Sequence, residues 1–182
     1  SLSFERHHHR TDIHPPQIQV LKEGAPRIGI TGGITALLIA AGFSSTKIVL
    51  MLLEYGADPC DTDIAGNDAL MMASLFGRTD VVKFWLERFP DWDLERMNNA
   101  NGAYALSCAV YMGPHRLMLT KFLLDHGASL FNRTSGIGSS ILTTVCSSED
   151  CDPDILSLLL CRLNNNDTVM NYGIRGNTFK WR

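Results

Sequence analysis

Apolar residues in this chain come in short paired runs. After Gly33, one residue and a helix-capping hydroxyl (Thr35) open a run from Ala36 to Ala41. A second run follows, with Ile48, Val49, Leu52 and Leu53 spaced as on one helix face, and it closes on Gly56-Ala57-Asp58. This predicts two short antiparallel helices and a loop, a unit too small to bury its own apolar face. The pattern then returns. GNDALMMASLFGRTDVVKFWLERF starts at Gly66, 33 residues on, and GAYALSCAVYMGPHRLMLTKFLLDHGAS starts at Gly102, a further 36. A more degraded copy, GSSILTTVCSS and then DPDILSLLL, starts at Gly138, again after 36. Units repeating at such a period bury their apolar faces by stacking on one another.

Each first helix should be capped two residues after its leading glycine, by Thr35, Asp68, Tyr104 and Ser140 in turn. Three of these four carry a side-chain oxygen suited to the orphan N–H groups of a first turn, a bond worth about 1 kcal/mol. The leucine two further on persists as Leu37, Leu70, Leu106 and Leu142 and marks the expected contact between units. Among second helices, Thr79-Asp80 places an acid at a positive helix end. Asp152-Pro153-Asp154 is a cap followed by proline at the first turn. Gly56 and Gly127 sit where a left-handed C-terminal cap belongs. Phe89-Pro90 replaces that glycine in the second unit, and DWDLERMNNAN lengthens the loop to Gly102. The third unit carries its extra residues around Pro114-His115. The predicted core is Leu37, Leu52, Leu53, Leu70, Val82, Leu86, Leu106, Leu123, Leu124, Leu142 and Leu159.

The period and the skeleton G-x-T-x-L-x-x-A-A … V-x-x-L-L-x-x-G-A resemble the ankyrin repeat. The resemblance implies an all-α solenoid of stacked helix-turn-helix units with hairpin-like loops, over residues 33–65, 66–101, 102–137 and 138–163. The family's proline after the cap is replaced by Ala36, Ala69, Ala105 and Ile141. Its histidine is replaced by Leu38, Met71, Ser107 and Thr143, so these units lack the side chain that hydrogen-bonds between loops. Residues 1–32 form a lead-in. Within it QIQVLKEGAP is either the second helix of an incomplete preceding unit or a single helical turn, with Gly24 lying 32 residues before Gly56. Residues 164–182 are polar and loop-like, yet Gly176-Asn177-Thr178 repeats the opening signature, as though a fifth unit began there.

Composition excludes more than it identifies. A net charge of −3 gives no electrostatic reason to expect nucleic acid. No apolar run approaches the ~20 residues that span a bilayer, so membrane insertion is not expected. The five cysteines lie mostly within helical patterns and point to reduced thiols in an intracellular protein, cytoplasmic or nuclear. The chain opens on Ser1 rather than methionine, as a segment of a longer protein or a processed product would, and no signal-peptide pattern appears. His7, His8 and His9 are adjacent and cannot all face one ion on a helix or strand, so they read as a solvated run.

Motifs that carry chemistry are incomplete. RIGITGGIT, residues 27–35, looks like the phosphate-binding turn of short-chain dehydrogenases. However, Thr35 and Leu37 stand where later glycines are required, and no Tyr-x-x-x-Lys pair follows. Asp58, Asp61 and Asp63 alternate as calcium ligands do, but Asp63 and Ala69 fill the places where an EF-hand needs glycine and glutamate. They read as solvated loop acids. No catalytic residue, metal ligand or cofactor is assigned.

The expected function is therefore a non-catalytic scaffold, monomeric or part of a larger chain, that binds a protein partner through its concave face and loops. The alternative is the regulatory segment of a larger enzyme or channel. The resemblance implies contacts from residues flanking the leading glycine and from the end of each first helix. Those helix-end pairs are Gly42-Phe43, Leu75-Phe76, Tyr111-Met112 and Ser147-Ser148, bordered by Ile64, Ala65, Asn67, Ala100, Asn101 and Ala103. Either the large side chains form an exposed stripe, or they fill gaps between helices. The family's asparagine hydroxylation, eight residues after the last leucine of a second helix, would fall on Asn132; the alternative is structural duty in a turn, since loop asparagines abound in this chain.

Overall fold

A computed structural model describes residues 33–111, 115–134, 139–147 and 152–165. These contain eight α-helices in four pairs: α1 (Ala36–Phe43) and α2 (Thr46–Glu54), α3 (Ala69–Leu75) and α4 (Thr79–Arg88), α5 (Ala105–Tyr111) and α6 (Arg116–Asp125), α7 (Ile141–Ser147) and α8 (Pro153–Asn165). First helices pack in one row, α1 on α3 on α5 on α7, and each second helix lies against its own first helix. Among the described residues there is no β-strand, only an isolated antiparallel bridge between Arg133 and Ser140. The fold is the all-α repeat expected, and α8 runs two residues past Leu163. The histidine run, QIQVLKEGAP, most of RIGITGGIT, Met112, Ser148 and the Gly176 signature lie outside the described residues.

Short alanine-rich first helices explain the close stacking. Ala40, Ala73 and Ala109 occupy matching places and are all buried, which lets neighbouring helix backbones approach. Leu37, Leu70 and Leu106 fill the space between them. Of the other expected core residues, Val82, Leu86, Leu123 and Leu159 are buried, while Leu52, Leu53, Leu124 and Leu142 are half-buried and pack on the core from its edge. Along the second row, Lys83 Nζ lies 5.6 Å from the centre of the Phe122 ring, and the Arg162 guanidinium of α8 bonds the Asp125 carboxylate of α6.

Helix ends follow the local sequence, with one substitution of roles. Thr35 and Asp68 accept from the amides of Leu38 (3.4 Å) and Met71 (2.8 Å), and Ser140 Oγ accepts from Thr143 (3.3 Å). Tyr104 has no oxygen within reach of its own first turn. There Ser107 takes over, accepting the Tyr104 amide and donating to the Tyr104 carbonyl, both at 2.8 Å. Gly56 and Gly127 are left-handed, at φ 92° and 93°, as their placement predicted. α4 ends at Arg88, and the Phe89 ring that follows packs on both Trp85 and Trp92, with ring centres 5.0 and 5.6 Å away, while the two indoles meet edge-on at 5.2 Å.

Candidate functional site

The loops joining the units are short hairpins whose tips form a row beside the first helices. The three leading glycines among the described residues are left-handed, with φ of 79° at Gly33, 83° at Gly66 and 68° at Gly102. Space demands glycine as well. A Cβ on Gly33 would lie 3.1 Å from Ile64 Cγ1, and one on Gly66 would lie 3.0 Å from the Asn99 backbone nitrogen. The tips at Ile64 and Asn99 therefore lean on the leading glycines of the tips before them.

A ladder of polar groups holds these tips. Asp63 accepts from Asn67 twice, Oδ1 from the backbone amide and Oδ2 from Nδ2, both at 2.8 Å. Asn67 Oδ1 then accepts from Asn98 Nδ2 of the next hairpin at 2.7 Å. Asn98 Oδ1 accepts the amides of Asn101 (3.1 Å) and Ala103 (3.0 Å), and the Asn99 amide donates to the Ala65 carbonyl at 2.7 Å. Asp63 is thus buried and structural, which corrects its reading as a solvated acid; Asp58 is exposed and accepts from the Cys60 amide. A third hairpin is tied down by Glu95, whose carboxylate accepts the Ser129 amide at 2.7 Å and the Asn132 side-chain amide. Burial pushes the Glu95 carboxyl above its ordinary value; the Ser129 amide opposes this and the charge of Asp93 adds to it. The Tyr104 hydroxyl donates to the Asn132 carbonyl at 3.3 Å. Asn132 is half-buried.

Against this frame the expected contact residues separate. Ile64 is 72% exposed and Tyr111 51%; Ala100 and Asn101 are also exposed. Asn67 and Ala103 are half-buried within the ladder, and Ala65 is buried. Phe43 and Phe76 face each other with ring centres 4.2 Å apart, and Leu75 is half-buried beside them. Gly42 is buried against the same ring, since a Cβ there would meet Phe76 Cδ2 at 2.9 Å. The two phenylalanines thus cover much of one another, and Tyr111 stands apart.

Sequence reasoning missed Asp63, Asn98 and Glu95. The first two left a signal: an Asx residue three positions before Gly66 and four before Gly102, where such side chains organise turns. Glu95 left none, because its partners lie 34 and 37 residues away in a loop of unmatched sequence.

Buried ionisable groups serve the scaffold. Asp68 is buried at the start of α3, and burial is the largest effect on its carboxyl, pushing it above 3.8 against the Met71 amide, the Arg96 charge and Trp92. Burial likewise pushes the Cys108 thiol up to about 12, with the Asp68 charge adding to it, so this sulfur is no nucleophile at neutral pH. Among the described residues no group of three His, Cys, Asp or Glu side chains is placed to hold a metal ion, and no helix is long and apolar enough to cross a membrane.

A family model described as ankyrin repeats (many copies) matches residues 37–86. The chain is also similar to ankyrin repeat and SAM domain-containing protein 6 of Danio rerio, 42% identical over 59 residues. That match covers 32% of this chain and 8% of the length of the relative.

Proposed function

We propose that this chain, an ankyrin-repeat protein, is a non-catalytic recognition module that grips a protein partner along its hairpin tips and first-helix ends. Ankyrin repeats are in general protein–protein interaction modules. The observation that carries the reading is Ile64, a large apolar side chain 72% exposed on a tip fixed by partly buried hydrogen bonds. A tip already ordered loses little entropy on binding, so its apolar contact is realised as affinity. Tyr111 and Asn101, which are also exposed, are assigned to the contact set with Ile64, and Phe43, Leu75 and Phe76 join it by the faces they leave open. Met112 belongs to the set by its place after Tyr111. Ala65, Asn67, Ala100 and Ala103 shape the backbone around it. The thiol-rich sequence fits an intracellular setting.

Partner capture by photocrosslinking, read with thermal melting, tests this. Ile64→Asp and Tyr111→Ala should abolish crosslinks that the unaltered chain forms, while moving stability by no more than about 0.5 kcal/mol. Phe43→Ala and Phe76→Ala should cost part of the ~3–5 kcal/mol of a fully buried ring. Crosslinking that survives both surface substitutions, or is lost only when the fold is lost, refutes the surface. The match to a small fraction of a larger relative favours a second reading, in which the module regulates a catalytic or pore-forming part elsewhere in a longer polypeptide. Asn132 remains the proposed hydroxylation site, which requires its amide to leave the Glu95 carboxylate. An intact mass unchanged after incubation with an asparaginyl hydroxylase refutes that assignment.

A further inference from the structure

Asn101-Gly102 is the only Asn-Gly pair in the sequence, and it lies on the hairpin that joins the second and third units. An asparagine side chain can react with the backbone nitrogen of the residue that follows, and glycine there has no side chain to block the approach. The structure prepares both groups. Asn101 is exposed, and its Oδ1 accepts the Ala103 amide at 3.1 Å, which closes an Asx turn. The ring so closed contains both Asn101 Cγ and the Gly102 nitrogen, so the carbonyl carbon is held along the peptide whose nitrogen would attack it. Gly102 is buried, and among the described residues nothing accepts from its amide. A buried backbone N–H without a partner is uncommon, and a new bond at that nitrogen removes it. The other hairpin asparagines lack this combination. Asn67 Nδ2 is held by Asp63, Asn98 Nδ2 by Asn67 and Asn132 Nδ2 by Glu95, and the residues after them are Asp68, Asn99 and Arg133. Asn99 is exposed but precedes Ala100.

We propose that Asn101 is a site of spontaneous deamidation, which loosens the hairpin between the second and third units. Solvent hydroxide takes the Gly102 amide proton, and the Gly102 nitrogen bonds Asn101 Cγ. The charge that gathers on Oδ1 faces the Ala103 N–H, which is placed as an oxyanion donor. The Cγ–Nδ2 bond then breaks, Nδ2 takes a proton from water, and ammonia leaves behind a cyclic imide. Water opens the imide at either carbonyl, giving an aspartyl or an isoaspartyl linkage. The net change exchanges ammonia for water, with no oxidation or reduction. Both products carry a new negative charge. The isoaspartyl linkage also adds a methylene to the backbone between the Asn101 and Ala103 amides, which bond Asn98 Oδ1 at 3.1 and 3.0 Å, so the two no longer reach it together. The modification stands whether or not a partner binds the hairpin tips.

Ageing of the full 182-residue chain at mildly alkaline pH, followed by peptide mapping with fragmentation that separates the two linkages, tests it. Product at position 101 should form at least ~10-fold faster than at Asn67, Asn98, Asn99 or Asn132. The isoaspartyl form should accept a methyl label from an isoaspartate methyltransferase. Asn101→Gln should abolish the label and leave the melting temperature of the fresh chain unchanged. The same incubation in urea separates the fold's contribution from that of the dipeptide alone. Folded and unfolded chains should react at Asn101 at rates within ~10-fold of each other, because the turn leaves the reacting groups free. Folding that slows the reaction at Asn101 by more than this, or product that appears first at another asparagine, overturns the proposal. An aged chain that takes up no methyl label overturns it as well.

Discussion

Asn98 is the side chain through which two neighbouring hairpins become one rigid surface, and its removal has a calculable cost. Asn98→Ala deletes three hydrogen bonds: to Asn67 Oδ1 at 2.7 Å, and from the amides of Asn101 at 3.1 Å and Ala103 at 3.0 Å. They do not count equally. Asn101 is exposed, so its amide can turn to water, and the Ala103 amide keeps a second acceptor in Asn101 Oδ1 at 3.1 Å. The Asn67 bond lies in the partly buried ladder and has no replacement. At roughly 0.5–1.5 kcal/mol net for each bond, discounted for these substitutes, the loss should be about 1–3 kcal/mol. Urea unfolding with fixed slope measures it, and a double-mutant cycle with Asn67→Ala should return a coupling of about 1 kcal/mol. Hydrogen exchange should speed up at the Asn99 and Ala103 amides before it does in the helices. A loss below ~0.5 kcal/mol with no coupling would refute the ladder as the source of tip rigidity.

Two further substitutions probe strain and charge. His115 holds a left-handed backbone (φ 60°) ahead of α6, in the slot that Gly77 fills at φ 65° ahead of α4. Replacing it with glycine removes ~1–2 kcal/mol of strain and adds glycine's greater unfolded entropy, so the unfolding free energy should rise by about 0.5–1 kcal/mol; a lower urea midpoint at unchanged slope refutes this. Asp68 has its carboxyl raised above 3.8, so over that window the folded chain holds a proton the unfolded chain has released, and stability falls as pH rises through it. Asp68→Asn keeps an oxygen for the Met71 amide and removes the charge. It should be at least as stable as the unaltered chain near neutral pH and lose less stability as pH rises above 3.8, and an unchanged slope in pH-dependent urea unfolding counts against it.

Features repeated along the chain were legible because repetition supplies several readings of one physical constraint. Left-handed caps at Gly56 and Gly127, close-packed leucines at Leu37, Leu70 and Leu106, and caps at Thr35 and Asp68 each answer a local demand that one unit states and the others restate. What stayed hidden depends on distances between units. The Phe43 and Phe76 rings lie 33 residues apart, and nothing in either local pattern says they meet at 4.2 Å rather than face solvent. Asp63 was mistaken for a solvated acid because charge in a loop is usually solvated. Its burial follows only from the hairpin folding back on its own Asn67 and the next hairpin closing over it. Tyr104 shows the converse. The missing cap oxygen was visible, and its replacement stood three residues on as Ser107, in the place where the family keeps histidine. Degenerate repeats retain the fold in this way. Each lost residue is tolerable when a neighbour within one turn, or one unit away, can satisfy the same backbone group, as Ser107 does for Tyr104, while Ile64 and Tyr111 stay exposed as the surface proposed for a partner.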